Sequence, residues 1–110
     1  MISKNYICAV LDVAQYLFSH KDVWFMENEL RKIAPRYCKK IVDKFIDEEI
    51  LYSTKDGLLF DDDGVDALNS YLSELADNMP EEEELLDKIK KITGIVADVT
   101  TIGASIIRNN

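Results

Sequence analysis

The sequence predicts a mainly α domain with a small β-hairpin, an α+β fold, and three observations carry that prediction. Apolar residues recur at steps of three and four through most of the chain, the spacing of helix faces turned to a core. One Asp-Gly pair, Asp56-Gly57, stands between two short β-favouring runs. The two prolines, Pro35 and Pro80, fall between periodic segments, where they end one helix and open the next.

The first helix is expected over about residues 4–19, with Ser3 as its N-cap and Ile7, Val10, Leu11, Ala14, Leu17 and Phe18 facing inward. Ser19 to Asp22 break the pattern. Val23-Trp24-Phe25 then reads as a brief strand or packed linker, with Trp24 as a core plug. A short second helix runs from about Glu27 to Ala34, with Leu30 and Ile33 inward and Glu27 and Glu29 at its favourable dipole end. Ala34-Pro35 is the tight turn that follows.

The third helix covers Arg36 to Asp47. Its buried stripe is Cys38, Ile41, Val42, Phe45 and Ile46, while Arg36, Lys39, Lys40 and Lys44 occupy the other face. Ile50 to Ser53 and Leu58 to Phe60 form the hairpin, its type I′ turn placed at Asp56-Gly57 because both central residues of that turn need positive φ. Asp61 to Asp63 cap a fourth helix bearing Val65, Leu68, Leu72 and Leu75. Glu81 to Glu84 open a last one, with Lys88, Lys90 and Lys91 spaced to pair with Glu84 and Asp87. Its seam of Leu85, Ile89, Ile92, Val96, Val99, Gly103 and Ile106 spans three heptads.

These elements divide the chain into a domain over 1–78 and a C-terminal helix over 79–110. Helix, short strand, helix, tight turn, helix and hairpin is the order of a winged helix-turn-helix domain. Cys38 to Tyr52 resembles that family's recognition helix leading into the wing. Leu59-Phe60-Asp61-Asp62-Asp63-Gly64-Val65-Asp66-Ala67-Leu68 resembles the segment that closes the wing in small bacterial, phage or plasmid regulators. The resemblance covers roughly 5–76 and implies double-stranded DNA as partner. It departs from the family pattern where Asp47-Glu48-Glu49 stands in place of the usual glycine after the recognition helix.

The net charge of −8 argues against nucleic acid only as a sum. Residues 1–60 hold 9 basic and 9 acidic side chains, whereas residues 61–110 hold 4 and 12, so the second half carries the whole excess. Six of the 13 basic residues (Arg31, Lys32, Arg36, Lys39, Lys40 and Lys44) lie between positions 31 and 44. With Tyr37 and Lys55 of the wing tip, they are the candidate DNA-binding residues, and a solvated helix face is the bland alternative. A winged-helix protein-docking module is the competing function, favoured if the acidic residues surround the third helix.

An enzyme is not expected, since no motif ties the single histidine, His20, to a nucleophile or acid. No cofactor, metal site or small-molecule ligand is evident, and the Asp61-Asp62-Asp63-Gly64 run fails the calcium-loop pattern. Cys8 and Cys38 read as buried free thiols. No secretory signal is visible, which points to a cytoplasmic protein. In the last helix, Leu85, Ile89, Ile92, Val96, Val99 and Ile106 are expected to mediate homodimerisation. A fold-back into the same core is the alternative. Membrane insertion is disfavoured by length and by Asp98. A dimer would present two recognition helices ~34 Å apart, suited to a palindromic or directly repeated site in transcription regulation or in accessory work on a mobile element.

Overall fold

The computed structural model describes residues 3–79 and 81–100, and their side chains as far as Thr93. Helix α1 spans Lys4–Ser19, α2 Glu27–Ile33 and α3 Cys38–Asp47. Strands β1 (Tyr52–Thr54) and β2 (Gly57–Leu59) follow, then α4 (Asp62–Asp77) and α5 (Glu83–Thr100). Ser3 caps α1 as its pattern predicts, its Oγ accepting from the Tyr6 N–H at 3.1 Å. The Asp61 carboxylate caps α4 in the same way, accepting from Gly64 N–H at 3.0 Å.

β2 is the middle strand of a minimal sheet. It pairs antiparallel with β1 in the register Tyr52↔Leu59, Ser53↔Leu58 and Thr54↔Gly57. On its other side Phe25 and Leu58 exchange both backbone hydrogen bonds, at 3.1 and 2.7 Å. Period-two alternation then sends Phe25 inward and its neighbours outward. Trp24 is therefore 48% exposed rather than the expected core plug, and Val23 and Met26 are exposed with it.

The hairpin turn also differs from expectation. Its register makes Lys55 and Asp56 the central residues, and Asp56 keeps a negative φ; only Gly57, with φ +132°, needs glycine's freedom. A Cβ at Gly57 would also lie 2.7 Å from the Phe25 carbonyl oxygen. The turn is thus not type I′, which requires positive φ at both central positions.

Helix α3 begins at Cys38, so Arg36 and Tyr37 lie in the turn before it. Cys38, Ile41, Val42 and Phe45 form its buried stripe, but Ile46 is 36% exposed. The reason is the way α3 ends. Glu49 takes a left-handed φ of 61°, its N–H donates to the Ile46 carbonyl, and the Ile50 N–H donates to the Phe45 carbonyl. That double closure is a Schellman motif with glutamate where glycine is usual. It turns the chain back on the end of α3, where the Leu51 N–H also donates to the Phe45 carbonyl and Ile50 and Leu51 are both buried.

Gly64 completes this junction. A Cβ there would stand 2.3 Å from the Ile50 carbonyl oxygen, so α4 can approach the end of α3 only with glycine at its first turn. Val65, Leu68, Leu72 and Leu75 then bury against the core, as their spacing predicts.

Helix α5 packs on α1 and α4. Leu85, Ile89 and Ile92 are 7%, 4% and 4% exposed and belong to the same core cluster as α1 and α3. For these three the packing is the one that the fold-back alternative describes: α1 and α4 cover them, and one core cluster takes in residues on both sides of position 79. Val96, Val99 and Ile106 lie outside the residues whose side chains are described. Lys88 reaches across to Asp12 of α1 at 2.8 Å instead of pairing with Glu84 along its own helix. Cys8 is half-buried and Cys38 buried; both are free thiols, and burial pushes the Cys38 thiol up. No helix among the described residues is long and apolar enough to cross a membrane.

Candidate nucleic-acid interface

The α2–turn–α3 segment is held to the core from beneath. Leu30 of α2, Ala34 of the turn and Cys38, Ile41 and Val42 of α3 are all buried. The Ala34 N–H closes on the Leu30 carbonyl at 2.9 Å and the Tyr37 N–H on the Ala34 carbonyl at 3.2 Å, so the turn has little freedom. The Cys38 Sγ ties the first turn of α3 to the Glu27 carbonyl of α2 at 3.6 Å. Side chains on the outer surface of this segment are presented from fixed backbone.

Arg31, Lys32, Arg36, Lys39, Lys40 and Lys44 are all exposed on that surface. They divide by partner. Arg31 pairs with Glu27 at 3.0 Å, Lys39 with Asp43 at 3.8 Å, and Lys44 with Glu48 at 3.1 Å, each along its own helix or its end. The Glu48 carboxylate, hydrogen-bonded to the Lys44 ammonium, holds that ammonium's pKa above its ordinary value. Such exposed pairs contribute little and exchange readily for a phosphate. Lys32, Arg36 and Lys40, by contrast, have no carboxylate within 4.0 Å among the described residues. These three stand at the last turn of α2, in the turn, and in the first turn of α3. Uncompensated positive charge is thus concentrated at one end of the segment.

The opposite end is acidic. Asp43, Asp47, Glu48 and Glu49 are exposed along the second half of α3 and just beyond it. A groove contact made by α3 must use its first two turns.

The remaining candidates do not join the cluster equally. Tyr37 is half-buried, its ring edge-on to Tyr6 of α1 with centroids 5.5 Å apart and planes at 80°, which is a packing contact. Lys55 sits at the hairpin turn and shares no hydrogen bond or ion pair with the α2–α3 residues. One residue was missed by the helix pattern. Tyr6 lies against the Lys40 side chain, whose Nζ is 4.8 Å from the ring centroid. Its position four residues before Val10 and seven before Val13 puts it on the inward face of α1, which was the available signal.

His20 ends α1, stacked on Tyr16, with Nδ1 2.8 Å from the Tyr16 carbonyl. A carbonyl only accepts, so that nitrogen carries the proton and serves the helix terminus. No protein-family model, curated protein or solved structure matches the chain. Function must be read from the chain's own side chains.

Proposed function

We propose that the chain is a winged helix-turn-helix protein that binds double-stranded DNA through the end of α2, the turn, and the first two turns of α3. The observation that carries this reading is that Lys32, Arg36 and Lys40, at the end of α2, in the turn and at the start of α3, are exposed and have no carboxylate within 4.0 Å among the described residues, in a protein of net charge −8. The order of elements supports it: α1, a Phe25 bridge, α2, a tight turn, α3 and a hairpin. In such an arrangement, basic side chains around the turn contact phosphates while the start of the recognition helix meets base edges. The role that goes with it is a small transcriptional regulator or an accessory DNA-binding protein.

The test is fluorescence anisotropy with a labelled duplex of random sequence at low salt. Lys32→Ala/Arg36→Ala should bind at least about tenfold more weakly, because two phosphate neutralisations are lost. Its thermal midpoint should stay unchanged, since neither side chain has an ion-pair partner among the described residues. Unchanged affinity would exclude this end of the molecule as the binding element.

The acidic run Asp43, Asp47, Glu48 and Glu49 favours one second reading, a winged-helix docking module for a basic protein. Failure of the native chain to bind any duplex at low salt would select it.

A further inference from the structure

We propose that Tyr6 of α1 is a positioning residue for the interface: its ring holds the Lys40 ammonium ready for a DNA phosphate. This rests on the DNA-binding reading given above and adds an element, α1, that the segment α2–α3 does not contain.

The argument begins with the choices open to each lysine of α3. Lys39 takes Asp43 and Lys44 takes Glu48, at the i+4 spacing that favours ion pairs on a helix. Lys40 has Asp43 three residues on, also within helical reach, yet it lies over an aromatic ring with Nζ 4.8 Å from the centroid. A ring face attracts an ammonium through its quadrupole without neutralising it. Lys40 therefore keeps its full charge and its three N–H donors while its stem is ordered.

Tyr6 is suited to this work because it is itself fixed. It is 7% exposed, and its ring meets Tyr37 in an edge-to-face contact at 5.5 Å. Tyr37 immediately precedes α3, so the same aromatic pair ties the start of α3 to the start of α1. Removing the ring would leave Lys40 free to swing toward Asp43, where its charge is compensated and its stem must be reordered on binding.

The experiment uses the full chain. In the free protein, the Lys40 ε-methylene protons should show an upfield ring-current shift by NMR. The shift should persist in Tyr6→Phe and vanish in Tyr6→Leu. Duplex affinity by anisotropy should be native in Tyr6→Phe and about two- to fivefold weaker in Tyr6→Leu, the range expected of an exposed cation–ring contact. Tyr6→Leu should have no further effect in a Lys40→Ala background. Replacement of Tyr6 by pentafluorophenylalanine keeps the ring's shape and reverses its quadrupole, so it gives the same loss without a cavity.

Native affinity in the fluorinated chain, additive losses for Tyr6→Leu and Lys40→Ala, or an ordinary Lys40 shift in the native protein would each overturn the positioning role while leaving DNA binding intact. Absence of duplex binding by the native chain would overturn both, and the Lys40 shift would then report a packing contact alone.

Discussion

Glu49 shows at the residue scale how a local rule is broken and compensated. The left-handed φ costs a glutamate roughly 1 kcal/mol relative to glycine, and the Schellman bonds to Ile46 and Phe45 hold it there. Glu49→Gly should therefore stabilise the protein by about 1 kcal/mol, seen as a rise in thermal midpoint of several degrees. Gly64→Ala should act in the opposite sense, costing roughly 1–3 kcal/mol in denaturant titrations, because backbone rather than a flexible side chain blocks the added methyl. The close approach at Gly64 has no signature in composition, whereas Asp47-Glu48-Glu49 in place of the family's usual glycine leaves two outcomes, a left-handed cap at that cost or a helix running on into the strand, and Glu49 takes the first.

Tyr71 carries a pH dependence at the same scale. Burial, with Tyr6 as its next neighbour, pushes its hydroxyl well above the ordinary tyrosine value. As pH rises past 10, the unfolded chain sheds this proton and the folded chain keeps it, so the unfolded state binds fewer protons and stability falls with pH. The fall due to Tyr71 is up to about 1.4 kcal/mol per pH unit. Denaturant midpoints measured from pH 9 to 11 should drop more gently in Tyr71→Phe than in the native chain.

At the scale of elements, periodicity was a good guide to helices and a poor one to what they pack against. Ile7, Val10, Leu11, Ala14 and Leu17 of α1 and Val65, Leu68, Leu72 and Leu75 of α4 are buried as their spacing predicts, because a regular helix repeats its environment every turn, while Phe18 is half-buried and Tyr6, Ala9, Val13 and Tyr71 widen the buried faces beyond the predicted stripes. Trp24 and Ile46 were misread for a shared reason: each sits where a single backbone reversal or strand alternation decides the facing, and no repeat averages out the choice. The seam of α5 could be read as a dimer interface or as core with equal regularity. Leu85, Ile89 and Ile92, the described part of that seam, are buried in one core cluster with residues of α1 and α4. Ile89→Ala should accordingly cost about 2–5 kcal/mol of global stability in a single cooperative transition. A native denaturation midpoint for that variant would mean that α5 is not part of the fold.

At the scale of the whole molecule, the net charge of −8 and a DNA-binding end are compatible only if charge is segregated. The sequence shows the segregation along the chain, with the acidic excess after residue 60. It does not show which cations are already neutralised; that depends on side-chain reach, which pairs Arg31, Lys39 and Lys44 and leaves Lys32, Arg36 and Lys40 without carboxylate partners among the described residues. The acidic remainder should repel DNA wherever it approaches, so binding should be confined to the basic end and depend steeply on salt.

The salt dependence of duplex affinity tests this most directly. Each phosphate neutralised should contribute about −0.9 to the slope of log affinity against log salt. Binding through Lys32, Arg36 and Lys40 predicts a slope of about −3 or steeper for the native chain, reduced by about two in Lys32→Ala/Arg36→Ala. A flat slope, or one that the double substitution leaves unchanged, would contradict the assignment of this surface to DNA.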